Sequence, residues 1–151
     1  MRSEYGDGYE IDEDYGRLEF ARMQTWLTAT YWSPGIGIGE ILKGARNSAI
    51  NVGCYHAGTQ VGYLRVASDK TRFGYFMDVY VEESHRLRGI AGAMVRFVME
   101  HPEFSEVYLW LLATRDSQPV YAKVGFGPLP VPENWMMIRK EKTRTEGESP
   151  G

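Results

Sequence analysis

The chain of 151 residues has one cysteine, Cys54, so no internal disulfide forms and no CxxC pair exists to hold a metal. With only three histidines, scattered along the chain, a zinc site is not expected, and the reading includes no metal. An excess of basic residues is also missing. The net charge of −3 argues against a broad nucleic-acid surface, although a local basic pocket remains compatible with it. No apolar run approaches the length needed to span a membrane, and Met1-Arg2-Ser3-Glu4-Tyr5 is not the start of a signal peptide. The expectation is a cytoplasmic domain with no membrane or nucleic-acid partner. Repeats and linkers are absent too. What is present suits one globular domain with a core that needs no cross-links: 43% hydrophobic and 25% charged residues.

Residues 1–8 are polar and Gly-rich, and 141–151 carry charge, Ser, Pro and Gly with no apolar anchor. Both are expected to be flexible tails around a single domain, 9–140. Within it, Tyr9–Asp12 reads as a short edge strand and Leu18–Tyr31 as a helix with Phe20, Met23, Trp26, Leu27 and Thr30 on one stripe. Ile38–Ala45 reads as a second helix. Ala49–His56 and Gln60–Ser68 read as strands joined through Ala57-Gly58-Thr59. Gly74–Val81 is apolar on both faces except for Asp78, the pattern of a covered central strand. Gly89–Glu100 is a helix with an Ile90, Met94, Phe97, Val98 stripe, ended by Pro102. Val107–Ala113 is a strand, Gln118–Val124 a short helix, and Trp135–Arg139 a last strand. A strand, a helix and another strand form a right-handed crossover, so those two strands are parallel. The earlier hairpins are antiparallel. The fold class is therefore α/β with a mixed sheet.

The strand Gly74–Val81 leads through Glu82–His85 into Arg86-Leu87-Arg88-Gly89-Ile90-Ala91-Gly92 and then a helix. A helix start offers unpaired N–H groups and about half a positive charge, glycine and alanine permit close approach, and arginines add attraction. A diphosphate is the natural guest. Spacing alone equally allows a solvated loop. No Gly-Lys-Ser/Thr is present, so a nucleoside-triphosphate loop is excluded. Gly35-Ile36-Gly37-Ile38-Gly39 imitates a dinucleotide fingerprint but does not follow a strand, and is read as a loop and helix start.

Arg86-x-x-Gly89-x-Ala91 after Val79-Tyr80-Val81 resembles the Arg/Gln-x-x-Gly-x-Gly/Ala signature of the GNAT superfamily of N-acyltransferases. Downstream, Tyr121-Ala122-Lys123-Val124-Gly125-Phe126 resembles that family's Tyr-x-x-x-Gly-Phe segment at the right spacing. Tyr31-Trp32, Asp78-Val79-Tyr80-Val81 and Ala113-Thr114-Arg115-Asp116 resemble segments of a bacterial subgroup. The resemblance implies a mostly antiparallel sheet with one parallel pair forming a CoA cleft, and helices on both faces. It implies acetyl-CoA as acyl donor, with Val79, Tyr80 and Val81 pairing with the pantetheine arm. Arg86, Leu87, Arg88, Gly89, Ile90, Ala91 and Gly92 would cradle the pyrophosphate. Two positions depart from the family pattern. Glu83 replaces a common proline, and Thr114 replaces a common Asn, which affects a side-chain contact to pantetheine.

Acyl transfer to an amine needs a proton donor for the departing thiolate. Tyr121 suits this by chemistry and by the resemblance; the alternative is a core tyrosine. Asp78, a lone charge in an apolar strand, is either a base or a structural ion pair with Arg65. Glu82, Glu83 and His85 are weaker candidates. A backbone N–H near Val79 or Tyr80 would polarise the thioester. Tyr31, Trp32, Arg65 and Asp116 are candidates to face the acceptor; for Tyr31 and Trp32 the favoured alternative is a hydrophobic lid over the core, and for Asp116 a helix cap. Cys54 reads as core. The leading reading is an acetyl-CoA-dependent N-acetyltransferase acting on a small-molecule or peptide amine, with a homodimer suggested by analogy. The alternatives are a non-catalytic acyl-CoA-binding sensor or scaffold and a nucleotide-binding regulatory domain.

Overall fold

The computed structural model describes residues 1–142 and 144. Six strands form one sheet in sequence order. They are β1 (Arg2–Tyr5), β2 (Tyr9–Asp12), β3 (Ile50–His56), β4 (Thr59–Ser68), β5 (Phe73–Val81) and β6 (Leu109–Leu111). The first five pair antiparallel, and β5 with β6 is parallel. The helices are α1 (Phe20–Leu27), α2 (Ile38–Arg46), α3 (Ile90–Met99) and α4 (Gln118–Ala122). One face of the sheet buries Val52, Cys54, Leu64, Val66 and Phe76 under Met94, Val95 and Val98 of α3. On the other face Tyr63 and Tyr80 pack against Met23, Trp26, Leu27 and Ile41 of α1 and α2. The expected mixed sheet with a parallel pair and helices on both faces is the observed one.

Local chemistry accounts for the elements. Ala57 and Gly58 both have positive φ, 50° and 81°, the two-residue turn whose twist suits the β3–β4 hairpin. The start of α1 is tied to β4 reciprocally: the Glu19 N–H donates to Gln60 Oε1 at 2.7 Å and the Gln60 N–H to Glu19 Oε2 at 2.6 Å. α1 stops at Leu27, short of the expected Tyr31. The Leu27 carbonyl accepts from the Thr30 N–H at 3.1 Å and from the Thr30 and Ser33 hydroxyls at 2.7 and 2.8 Å, so these donors stand in for the Tyr31 N–H of a continuing helix. That early stop frees Tyr31 and Trp32 from the helix.

Three expectations fail at the sheet edges. Residues 2–5 are not a tail: β1 pairs with β2 from Arg2↔Asp12 to Tyr5↔Tyr9, so Tyr9–Asp12 is internal. β1 was missed because its side chains are largely exposed and polar, and an edge strand needs only backbone bonding. β6 is three residues long, not seven, because β5 is its sole partner among the described residues and the two strands diverge after Tyr75↔Leu111. Trp135–Arg139 joins no sheet among the described residues. Most of the expected 141–151 tail lies outside the described residues.

Gly74 sits in the middle of the parallel ladder opposite Trp110, whose indole packs against Phe76 and Phe104. A Cβ on Gly74 would sit 2.3 Å from the ring. Gly74→Ala is expected to destabilise by about 1–3 kcal/mol through overpacking. For a domain of this size that is a loss of roughly 3–10 °C in Tm, measurable by calorimetry.

Candidate active site

A cleft of about 890 Å³ opens where β5 and β6 diverge, within the size range of small-molecule sites. Its floor is Val79–Val81 of β5. The sequence folds this way because β5 carries a bulge: Tyr63 faces Tyr80 and Arg65 faces Met77, so two residues of β5, Asp78 and Val79, stand against Leu64. Asp78 takes a left-handed φ of 54°, a conformation that aspartate tolerates better than most residues. With β6 already ended, this stretch of β5 has no partner strand on the β6 side among the described residues.

One wall is the start of α3. Gly89, with φ 77°, turns the chain into the helix, and no side chain caps it. The Gly89 carbonyl already accepts from the Ala93 N–H at 3.0 Å. The N–H groups of Ile90, Ala91 and Gly92 have no intrahelical acceptor, and all three residues line the cleft. Arg86 is held by its Nε donating to the Val81 carbonyl at 2.8 Å, with its guanidinium over Tyr80. The turn before α3 is braced from β1: Tyr5 Oη donates to the Arg88 carbonyl at 2.6 Å. Arg86, Arg96, Arg115 and Lys123 line the cleft, against one carboxylate, Asp116. A chain that is acidic overall thus presents a locally cationic cleft ending in uncapped amides, and this fits an acyl-CoA diphosphate.

The opposite wall comes from α4. Tyr121 is 8% exposed, faces the cleft and packs edge-on against Phe126. Burial, then the nearby Tyr31 and Asp116, pushes its phenol up to about 12. It is therefore protonated, a donor, at any ordinary pH. Across the cleft mouth the Arg115 N–H donates to Tyr31 Oη at 3.0 Å, and the Arg115 guanidinium stacks on the Tyr31 ring at 3.8 Å. Tyr31 stands edge-on to Trp32 at 5.0 Å, and Trp26 stacks on Tyr80 at 5.1 Å.

Most of the expected residues meet here: Tyr31, Trp32, Val79, Tyr80, Val81, Arg86, Leu87, Gly89, Ile90, Ala91, Gly92, Asp116 and Tyr121 all line the cleft. Four do not. Asp78 and Arg65 form an ion pair at 2.7 Å, and the second Asp78 oxygen accepts from Trp32 Nε1 at 3.0 Å. The geometry thus favours the ion-pair alternative over the base, and the pair lies behind the cleft, fixing Trp32. Arg88 contributes its carbonyl to Tyr5, and its side chain is exposed. Thr114 lies outside, where its Oγ1 accepts from the Ser117 N–H at 3.1 Å, and no side chain caps α4, Asp116 included. Among the weaker candidates, Glu82 is paired with Arg22 at 3.0 Å, and His85 lines the cleft bonded to Tyr9 Oη at 2.7 Å. Cys54 is buried, its thiol pushed up to about 12, as a core residue requires. Glu13, His101 and Glu103 cluster elsewhere, but both His101 ring nitrogens are engaged, by Glu13 and by the Glu103 N–H. Sequence reasoning missed Tyr5, Trp26, Arg96, Arg115 and Lys123. Arg115 and Lys123 had a signal, lying inside the quoted Ala-Thr-x-Asp and Tyr-x-x-x-Gly-Phe segments.

Comparison with known proteins agrees with this geometry. The family model described as the acetyltransferase (GNAT) domain matches residues 48–128, from the end of the α2–β3 connection to just past α4. The chain belongs to the GNAT acetyltransferase family. A GNAT-family structure from Xanthomonas campestris pv. campestris superposes on this GNAT domain with TM-score 0.83 at 30% identity, over 89% of this chain and 94% of that one. A Clostridium acetobutylicum structure described with acetyl-CoA shares the fold at TM-score 0.64 and 15% identity, over 92% and 96% of the two chains. Glucosamine-6-phosphate N-acetyltransferase from Arabidopsis thaliana shares it at 0.62 and 16%, over 91% and 99%. None of the curated proteins matches the chain. Family membership makes this GNAT domain an acyltransferase, and the cleft where β5 and β6 part is its candidate active site.

Proposed function

We propose that this domain is an N-acetyltransferase that moves an acetyl group from acetyl-CoA to a primary amine of a small molecule or peptide. The observation that carries the reading is the placement of a buried, protonated tyrosine and a set of uncapped helix-start amides on opposite walls of one cationic cleft. The amides of Ile90 to Gly92, with Arg86, hold the diphosphate. The backbone of Val79 to Val81 pairs with the pantetheine arm as an added strand. The thioester supplies the acyl group, and its sulfur leaves needing one proton while the amine must give one up.

Tyr121 donates its hydroxyl hydrogen bond to the departing sulfur. A phenol near 12 is a weaker acid than an ordinary thiol, so it stabilises the thiolate chiefly as a hydrogen-bond donor. The proton released by the amine restores the balance through solvent. No side chain in the cleft is assigned as base; Asp78 is committed to Arg65 and Trp32. A backbone N–H of the β5 bulge, at Val79 or Tyr80, is the donor for the developing oxyanion. Tyr31, Trp32, Arg115 and Asp116 face the acceptor, with Arg65 and Asp78 supporting them from behind.

Two measurements test this reading. Acetyl-CoA at a hundred times its Kd is expected to add about 2.7 kcal/mol of stability, roughly 5–10 °C in Tm. A panel of amines, scored by thiol release, is expected to contain substrates whose product is the N-acetyl amide. A folded, CoA-free protein that acetyl-CoA does not stabilise, and that releases no thiol with any amine, has some other function.

A further inference from the structure

The turn that leads into α3 is strained at a residue with no packing of its own. Leu87 takes a left-handed φ of 65° although it is not glycine, and its side chain is fully exposed. A bulky residue stays in that region only where its surroundings over-determine it. The restraints come from the far end of the chain. On one side of Leu87, His85 Nδ1 lies 2.7 Å from Tyr9 Oη. On the other, the Arg88 carbonyl accepts from Tyr5 Oη at 2.6 Å.

The register of β1 and β2 makes these two phenols a pair. Tyr5 and Tyr9 stand directly opposite each other across a tight turn with positive φ at Gly6 (52°) and Gly8 (79°). Opposite residues of an antiparallel pair project to one face, here the face that α3 covers. Tyr9 is buried, edge-on to His85 at 5.6 Å and beside His56 at 4.7 Å, and this packing fixes where its hydroxyl points. Neither tyrosine is among the residues that line the cleft, so any effect they have there passes through the turn.

We infer that Tyr5 and Tyr9 are positioning residues for the cofactor: two phenols of one hairpin that hold the diphosphate turn in its binding-competent shape. The inference rests on the reading of Arg86 to Gly92 as the diphosphate site. A turn that leaves the left-handed conformation at Leu87 part of the time aims its helix-start amides elsewhere, and the apparent affinity falls by the fraction of time the competent shape is populated. Bound acetyl-CoA restores that shape, so the chemical step is spared. The otherwise solvated edge strand β1 thereby has a task.

Tyr5→Phe and Tyr9→Phe each remove one hydroxyl and keep the ring. Each is expected to weaken acetyl-CoA binding roughly 2- to 10-fold by calorimetry, the range for one lost hydrogen bond, with kcat at saturating acetyl-CoA no lower than the parent's. Amide hydrogen exchange of the ligand-free variants is expected to quicken at Leu87 to Gly92 and to match the parent in β3 and β4, a local change that a general loss of stability does not produce. Tyr5 lies on an exposed edge strand, so its variant decides the matter should Tyr9→Phe misfold. Tyr55→Phe is the control. Its buried hydroxyl has no hydrogen-bond partner among the described residues, and its loss is expected to leave affinity and turn exchange unchanged. Phe variants that bind acetyl-CoA as tightly as the parent, or that lower kcat as much as affinity, overturn this inference alone. A parent that acetyl-CoA does not bind overturns the reading of the site, and the inference with it.

Discussion

Tyr121→Phe is expected to lower kcat by about 10²- to 10³-fold, the range for removal of one preorganised hydrogen-bond donor, while leaving acetyl-CoA affinity almost unchanged. The split follows from where the hydroxyl sits. Phenylalanine keeps the ring packing on Phe126, so the cleft wall survives, and the proposed diphosphate site lies elsewhere, on Ile90 to Gly92. What disappears is a donor needed only when the sulfur departs, and such an interaction appears in kcat and kcat/KM together. The pH profile adds a check. Because burial holds the phenol near 12, Tyr121 produces no descending limb up to roughly pH 10, and the rate is expected to rise as the acceptor amine loses its proton. Steady-state kinetics of both proteins, with acetyl-CoA affinity measured separately by calorimetry, reads all of this. A Phe variant with normal turnover removes Tyr121 from the chemistry.

Gly89→Ala is the second large effect, and it falls on binding. Gly89 has φ 77°, and a Cβ there would lie 2.6 Å from Tyr5 Oη, the group that braces the Arg88 carbonyl. The left-handed backbone costs alanine about 1–2 kcal/mol, and the displaced tyrosine bond adds about 0.5–1.5. A loss of about 2 kcal/mol corresponds to acetyl-CoA binding weakened roughly 30-fold. Tyr5→Phe separates the two causes. In that background the steric part is relieved while the φ strain remains, so the penalty for Gly89→Ala is expected to shrink by about half. Gly127→Ala, where a Cβ meets nothing and φ is not positive, is the control. Equal binding by Gly89→Ala and the parent means that the turn is not the diphosphate site.

The pattern of what the sequence revealed is physical. Short-range signals were legible. The apolar run of β5, the stripe of α3 and the Arg86–Gly92 turn are each set within about a dozen residues, and the structure has them within a residue or two. Asp78 was flagged by its oddity, but its partners lie 13 and 46 residues away, and only the folded sheet decides between a base and an ion pair. Edges were least legible. Arg2–Tyr5 has no apolar alternation and is a strand by backbone pairing alone, so the Tyr5 brace was out of view. Trp135–Arg139 has a strand's composition but no strand beside it, because composition reports what a segment can pair with and not whether an edge is within reach. Arg96 and Lys123 meet only once α3 and α4 are folded onto one cleft, which no local pattern of residues shows.

The central claim is that a diphosphate settles on the uncapped amides at the start of α3. Titration of the isotope-labelled protein with acetyl-CoA, followed by amide nitrogen–proton NMR, tests it most directly. The largest shifts are expected at Gly89, Ile90, Ala91 and Gly92, with a second group at Val79 to Val81. Shifts confined to another surface, with the amides of Ile90 to Gly92 unmoved at saturation, would contradict it.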